Sequence, residues 1–575
     1  MKWVWAVKGS RILLTMLREY DVEYVFGLPG ETTLPLYVEW LEFKDVGHVM
    51  FRDERNACFA ADGYARVSYK PGICEAPSAG AAHILPAIVE AYASSLPIIA
   101  ITTDTPLHLE KRNMLTGFNQ TAIFNGVTKE TLTVLRAQDI PFTIRRAFRI
   151  ATCGKPGPVH IRIPVNVLEE DAEVSDLYGQ REFIRYPGQR FTAEEDMVLK
   201  AVELLLSSEK PIIVCGQGVL YSQAWDEIIE LAELLNIPVG TTITGKGSFP
   251  ETHPLSIGVI GSRGGTSFSN EILKNADLVF YVGCNTDYAA TNSWTLPPKD
   301  VKIIHLDISE AEVGNNLRTE IPLIGDAKST LKLMIKILKT KMIKGAARSG
   351  LLEELRERRA KFEEGVAPNI TSNEYPPNPI RIIKALENML PKEYIITCDA
   401  GVSAIYTAAF LKVKEAGRRI LFNYSMGALG YAVPAAIGAY LAKPKSTIIA
   451  LTGDGSFGFT VGEYETLARL NANVKIILFN NQSYGWIRAS ILFKYGPKYF
   501  ETEFKNVDYV KIAEGFGLKA SRIEDTREIE EKLRELLTSE GPMLLEIPTL
   551  PEDKLTPPVP SWAEEAKKMG IRFVY

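Results

Sequence analysis

Cysteine and histidine are both scarce in this sequence, with six of each in 575 residues. The cysteines (Cys58, Cys74, Cys153, Cys215, Cys284 and Cys398) are scattered, without a CxxC pair or a histidine at zinc-ligand spacing. That pattern excludes a disulfide framework and a structural zinc site, and fits reduced, buried thiols. Long apolar runs are missing too: none approaches the roughly 18 to 20 residues that a membrane helix needs, so no membrane partner is expected. The first twenty residues have a short apolar start broken by Lys8 and Arg11, with no small-residue cleavage pattern behind it. This is a poor signal peptide, and a soluble, cytoplasmic protein is expected. Positive charge is not in excess either; the formal net charge is -5, which leaves no basic surface for nucleic acid. No short-period repeat is visible, which excludes a solenoid.

What is present is the composition of a large globular protein, 46% hydrophobic and 23% charged, on a chain too long for one core. Short apolar runs alternate with helical patterns throughout, which predicts an α/β protein built from three doubly wound parallel-sheet domains. The first block covers residues 1–174, with runs such as YVFGLPG, ICEAPSAG, SLPIIAITTD and GPVHIRIP. A polar, irregular stretch from Ser175 to Thr192 reads as a linker. The second block covers 193–338, and a charged stretch from Lys339 to Lys361 reads as a surface helix. The third block covers 365–550, and the tail 551–575, with no regular core pattern until a last helix, reads as a surface arm. The first and third blocks share a strand-helix rhythm.

The most informative stretch lies in the third block. Thr447 to Thr452 reads as a buried strand running into Gly453-Asp454-Gly455; Gly462 to Leu470 has helix-forming residues; Val474 to Phe479 is a second apolar run ending at Asn480-Asn481. Strand, turn, helix and strand make a βαβ unit, in which the carboxyl ends of two parallel strands lie side by side. Asp454 and Asn481 then reach the same sheet edge, where open α/β sheets bind ligands. One carboxylate, one amide oxygen and a loop carbonyl suit Mg²⁺, a hard cation that completes its octahedron with phosphate oxygens.

The segment GDGSFG…FNNQSYG resembles the cofactor motif of the thiamine diphosphate-dependent decarboxylase and acetohydroxyacid synthase superfamily. The resemblance covers almost the whole chain and implies pyrimidine-binding, central and diphosphate-binding domains in that order. It implies that Asp454, Asn481 and the backbone oxygen of Ser483 hold Mg²⁺, and that Gly453, Gly455 and Ser456 border the thiamine diphosphate. In ITCDAGVSAIY, residues Asp399, Ala400, Gly401, Val402 and Ser403 are the implied diphosphate contacts, where a helix N-terminus suits an anion. NYSMGALGYAVPAAIGAYLA resembles the segment in which an apolar residue wedges between the two cofactor rings, which gives Leu429 that place, flanked by Gly427.

In the first block, MFRDERNACFAADGYAR puts Ala57, Ala60, Ala61 and Tyr64 on one helical face, with Glu54 at the helix start. A carboxylate there also stabilises the helix dipole. The resemblance gives Glu54 a further role, hydrogen-bonding the aminopyrimidine ring to favour its imino tautomer. Glu31, after the FGLPG turn, is a candidate proton shuttle or a solvated loop carboxylate. His83, in SAGAAHILPA, falls where the family's glycine-rich turn approaches the cofactor, or caps a helix. One departure stands out: the Phe-Gln-Glu segment of acetohydroxyacid synthases is replaced by Leu115-Thr116-Gly117, unless a gap brings Gln120 into register. In the central block the GxGxxG fingerprint is absent, and CGQGV is a weak turn signal. Relatives use that domain for FAD or ADP or leave it empty; Asp307, ending VKIIHLD, suits a ribose hydroxyl or is an ordinary strand-end residue.

The function expected is a C-C bond cleavage or formation next to a carbonyl, beginning with decarboxylation of a 2-oxo acid, as in acetolactate synthase. The alternatives are a 2-hydroxyacyl-CoA lyase, or a non-catalytic regulatory subunit with the same fold. The resemblance further implies a homodimer or homotetramer with active sites at the subunit interface.

Overall fold

The computed structural model describes residues 6–340, 350–555 and 558–570. The first residues of the poor signal peptide, most of the junction inside Lys339–Lys361 and parts of the tail lie outside the described residues. Among the described residues no helix is long and apolar enough to cross a membrane.

The apolar runs named above in the first and third blocks become strands, because β-branched and aromatic residues buried on both faces belong in parallel sheets. A short antiparallel pair, β1 (Val7–Lys8) with β8 (Asp171–Ala172), ties the start of the first block to its end. Between them run β2 (Tyr24–Gly27), β3 (Gly47–Met50), β4 (Gly72–Ala76), β5 (Ile98–Asp104), β6 (Glu130–Thr133) and β7 (Val159–Pro164). They form a parallel sheet in the order β3-β2-β4-β5-β7-β6. The central sheet uses β9 (Pro211–Cys215), β10 (Val239–Thr241), β11 (Ser256–Val259), β12 (Leu278–Val282), β13 (Lys302–Asp307) and β14 (Ile321–Ile324). Its order is β11-β10-β9-β12-β13-β14. The third uses β15 (Tyr394–Cys398), β16 (Ile420–Phe422), β17 (Thr447–Gly453), β18 (Val474–Asn480), β19 (Lys519–Arg522) and β20 (Met543–Pro548), ordered β16-β15-β17-β18-β20-β19.

The first and third sheets therefore have one topology, and the rhythm they share in sequence is a shared strand order. In each, the order reverses beside the first strand of the block, between β2 and β4 and between β15 and β17. Ligand crevices in open α/β sheets form at that reversal, outside the carboxyl ends of the strands.

The chain divides into two compact units. One comprises residues up to Gln189 with Ser425–Ile448 and Phe459–Val474; the other comprises Arg190–Tyr424, Ile449–Gly458 and the chain from Lys475. Inside the first unit, helix Glu54–Ser68 crosses helix Ala432–Ala442 with backbone against backbone. A Cβ on Gly63 would lie 2.1 Å from the Ala435 carbonyl oxygen, and one on Gly438 would lie 1.9 Å from that of Ala60. Ala57, Ala60 and Ala61 are all buried, and Ala61 faces the sheet, where a Cβ on Gly72 would lie 2.3 Å from its carbonyl oxygen. The crossing carries a buried polar cluster in which Arg66 Nε donates to Asp62 (2.6 Å) and the Tyr431 hydroxyl donates to the same carboxylate (2.7 Å).

Two segments differ from the sequence reading. The stretch Ser175–Thr192 is irregular as expected, yet Phe183, Ile184 and Tyr186 are buried, and the Tyr186 hydroxyl donates to the Ala65 carbonyl at 2.8 Å. The tail is not a surface arm: Glu552, Val559, Trp562 and Ala566 are buried in the second unit. Trp562 stacks on Phe493 at 5.1 Å and lies 4.9 Å from Trp486, both on helix Gly485–Tyr495. Such anchors are too few and too unevenly spaced to produce a readable period. Of the charged stretch, Lys339 and Thr340 end helix Ala327–Thr340 and Leu351–Lys361 lie in helix Leu351–Thr371, while 341–349 lie outside the described residues.

Candidate active site

In the first unit, three sequence-derived candidates sit at the carboxyl edge of the first sheet, around its reversal point. Glu31 follows β2 in an exposed 3₁₀ turn, Glu54 follows β3, and His83 follows β4. The Glu31 turn is fixed from behind: Thr32 Oγ1 accepts from the Ser78 amide at 2.9 Å, and Gly30 leaves no room for a Cβ against Pro77. Glu54 is buried, with its Oε2 3.0 Å from His83 Nδ1, whereas the His83 ring is largely exposed. Gly80 makes this possible, since a Cβ there would lie 2.3 Å from Glu54 Oε1. The helix start beneath Glu54 is held by Glu463, which accepts from the Arg52 amide (3.2 Å) and from Asn56 Nδ2 (3.0 Å).

Gly427 and Leu429 lie on a loop of the same unit. Gly427 has φ 79° and Gly430 φ 85°, conformations that favour glycine. The loop is fastened by Glu90, a residue the sequence reading missed. Its buried carboxylate accepts from the amides of Met426 (2.9 Å) and Gly427 (3.3 Å) and from the Ser94 hydroxyl (2.7 Å). Burial raises its pKa, and the Arg66 guanidinium opposes that rise. A lone carboxylate inside the apolar run LPAIVEAYA was the available signal. Leu429 is half-buried, so part of its side chain is free to meet a ligand.

Gln120, the glutamine that a gap would bring into register, is turned inward. It is buried, its Nε2 donates to the Thr103 carbonyl at 2.9 Å, and its Oε1 accepts from the Thr102 hydroxyl at 2.5 Å. Its amide braces β5 and is not presented at the sheet edge.

In the second unit, β17 and β18 are neighbours, and Asp454 and Asn481 follow their carboxyl ends as the βαβ reading requires. Asp454 is 6% exposed; its Oδ1 accepts from the Gly455 amide at 2.9 Å, and its Oδ2 has no hydrogen-bond partner among the described residues. Burial raises its pKa to about 7, opposed by the backbone amides of Gly455, Gln482 and Ser483. Those last two amides place the carboxylate beside the Asn481–Ser483 turn. Asn481 Oδ1 accepts from the Ser483 amide (3.0 Å), and Gln482 takes φ 54°. The turn is clamped by Thr502–Phe504 through Tyr484 N to Thr502 O (2.9 Å) and Phe504 N to Gln482 O (2.8 Å). A buried carboxylate oxygen without a donor, beside an amide oxygen and a backbone carbonyl, is a set of hard oxygen donors. These residues fit Mg²⁺.

Gly453, Gly455 and Ser456 surround Asp454 on the short helix Asp454–Phe457, and a Cβ on Gly455 would press on the Tyr484 ring at 3.0 Å. At the end of β15, Gly401 has φ 115° and open space around it, ahead of helix Val402–Phe410. Ala400 and Val402 flank that turn. Asp399 and Ser403 face inward: the Asp399 carboxylate accepts from the Thr452 hydroxyl (2.7 Å), and Ser403 Oγ donates to the Asp399 carbonyl (2.8 Å). Asp399 thus braces β15 against β17, and the open backbone at Gly401 is what an anion can approach.

In the central sheet the glycines of CGQGV are used for packing. A Cβ on Gly216 would lie 2.1 Å from the Gly283 carbonyl oxygen, and one on Gly218 2.6 Å from Gly283 Cα. The Asp307 carboxylate accepts from the Ser309 amide at 3.0 Å.

Comparison with known proteins matches the three-sheet organisation. The family model for the thiamine pyrophosphate enzyme N-terminal TPP binding domain matches residues 7–123, the central domain 198–334, and the C-terminal TPP binding domain 399–547. A probable acetolactate synthase large subunit from Methanocaldococcus jannaschii is 35% identical over 96% of this chain and 94% of its own. The chain belongs to the thiamine pyrophosphate enzyme family. A second probable acetolactate synthase large subunit, from Methanococcus aeolicus, is 34% identical over 96% of the chain and 93% of its own length. An acetolactate synthase from Arthrospira platensis is 30% identical over 98% of both. This thiamine pyrophosphate enzyme thus has both TPP-binding domains, and each contains one of the sheet edges described above.

The Asp454 environment predicts a pH signature in the cofactor-free enzyme. Its folded pKa, about 7, is raised above the ordinary carboxylate value of about 3.9. The stability it contributes is therefore fully present below the unfolded pKa and is lost as pH rises through 7. In excess chelator, the thermal midpoint of the wild type should fall more steeply from about pH 5 to about pH 8 than that of Asp454→Asn, whose amide does not titrate. Parallel pH profiles would contradict the burial argument.

Proposed function

We propose that this enzyme requires Mg²⁺ and thiamine diphosphate, decarboxylates a 2-oxo acid and joins the remaining acyl unit to a second carbonyl compound, as an acetolactate synthase does. The observation that carries this reading is the buried, unpartnered oxygen of Asp454 beside Asn481 and Ser483. The near full-length likeness to relatives named as acetolactate synthases directs the choice of reaction.

In this reading Asp454, the Asn481 carboxamide oxygen and the Ser483 carbonyl hold the metal, and the turns at Gly401 and at Gly453–Ser456 offer backbone amides to the diphosphate. Gly427 and Leu429 face the rings. Thiamine diphosphate, when bound, supplies a carbon nucleophile and an electron sink for the loss of CO₂. Glu54 holds a negative charge near the pyrimidine, and His83 keeps its carboxylate in place at 3.0 Å. Glu31, exposed at the same edge, carries protons to and from substrate. A lyase acting on 2-hydroxyacyl compounds is the second reading, favoured by the exposed His83 ring and by the inward-facing Gln120. A purely regulatory role is disfavoured because Glu54, Asp454 and Asn481 are all present.

Given pyruvate, Mg²⁺ and thiamine diphosphate, the full chain should release CO₂ and form acetolactate. Glu54→Gln should lower turnover at least about a hundredfold and slow exchange of the cofactor C2 proton in the absence of substrate. CO₂ release with aldehyde as the sole product would contradict the carboligation reading. Unchanged exchange and turnover in Glu54→Gln would reduce Glu54 to a helix-start carboxylate.

We also propose that the enzyme is a homodimer or a pair of dimers, in which the Glu54-bearing domain of one subunit faces the diphosphate-binding domain of another and completes its active site. Glu54→Gln and Asp454→Asn should each be inactive alone. Co-expressed, they should recover up to about a quarter of wild-type activity, because half of the dimers are mixed and each has one intact site. No recovery, with mixed dimers confirmed by mass spectrometry, would show that each subunit holds its own site.

A further inference from the structure

The tail brings one chemically loaded group back into the second unit. Glu552 is fully buried, and its Oε2 accepts from Asn481 Nδ2 at 3.0 Å, while its Oε1 has no hydrogen-bond partner among the described residues. The contact is built in from both sides. Gly485, at the start of helix Gly485–Tyr495, has no side chain to block it; a Cβ there would lie 1.5 Å from Glu552 Oε2 and 2.5 Å from Asn481 Nδ2. The next residue, Asp553, is fixed to the same helix by Arg488, whose Nη2 donates to Asp553 Oδ2 at 3.0 Å. The Trp562 stack on Phe493 then fastens the tail beyond it.

An asparagine that ligates a metal has two faces to satisfy. A carboxamide can rotate by half a turn and present nitrogen instead of oxygen; in Asn481 this is opposed at both ends, by the Ser483 amide (3.0 Å) and hydroxyl (3.1 Å) donating to Oδ1 and by Glu552 accepting from Nδ2. Groups that orient a ligand in this way are as necessary as the ligand itself.

We propose that Glu552 is a positioning residue of the magnesium site, holding the Asn481 carboxamide through Nδ2 so that its oxygen faces the metal beside Asp454. The proposal rests on the reading of Asn481 as a ligand. It gives the C-terminal segment a defined task that neither its sequence nor the family comparison assigns.

The test is Mg²⁺ binding by the full chain at a fixed excess of thiamine diphosphate, followed by calorimetry, with the thermal midpoint of the chelated protein measured in parallel. Glu552→Ala should weaken Mg²⁺ binding by roughly 10- to 100-fold. Glu552→Gln, whose side-chain oxygen can still accept from Nδ2, should recover most of that loss. Gly485→Ala, whose Cβ would force Glu552 and Asn481 apart, should reproduce the loss without replacing either polar residue, and it carries the test if Glu552→Ala does not fold. Wild-type Mg²⁺ affinity in Glu552→Ala or Gly485→Ala, with only the thermal midpoint lowered, would overturn the proposal and leave Glu552 a packing residue. Asn481→Ala separates the two levels: if it binds Mg²⁺ normally, the ligand assignment itself fails; if it does not while Glu552→Ala does, only the positioning role fails.

Discussion

Taking a carboxylate out of water costs several kcal/mol unless its charge is met, and at the carboxyl end of β17 the chain does this with no ion-pair partner for Asp454 among the described residues. Gly455 and the amides of the following turn meet part of the Asp454 charge, and one oxygen is left over. Much of the second unit serves that arrangement. Parallel pairing sets two strand ends side by side, Gln482 accepts a left-handed conformation, and the Thr502–Phe504 segment clamps the turn from outside. A buried charge of this kind is a poor stability device and a good place for a hard cation.

The two TPP-binding domains solve the same geometric problem with the same strand order. In the first, the reversal between β2 and β4 gathers Glu31, Glu54 and His83; in the third, the reversal between β15 and β17 gathers the Gly401 turn and Asp454. The central sheet has another order and spends its conspicuous glycines on backbone contacts at Gly283. Its turns are built for packing, whatever else the domain binds.

Most of the fold was legible because parallel strands buried on both faces leave continuous apolar runs, and Gly-Asp-Gly and Asn-Asn stand at the ends of two of them. Glu54 was legible from the helical spacing of the alanines behind it and from the family resemblance. What escaped the sequence were side chains acting at long range. Glu90 fastens a loop more than three hundred residues away, and Glu552 returns to the end of β18 from a polar tail. Neither contact has a period or a local motif, since both depend on tertiary packing alone. The Thr452 hydroxyl that donates to Asp399 was likewise out of reach of the sequence, since it comes from the neighbouring strand β17.

The central claim is that Asp454 and Asn481 hold a cation whose shell only a diphosphate can complete. Calorimetric titration of thiamine diphosphate into the full chain, once with Mg²⁺ and once with excess chelator, tests it most directly. The account predicts tight binding with Mg²⁺ and very weak binding with chelator, and weak binding of Mg²⁺ when no diphosphate is present. Tight binding of thiamine diphosphate in excess chelator, or none with Mg²⁺ present, would contradict it.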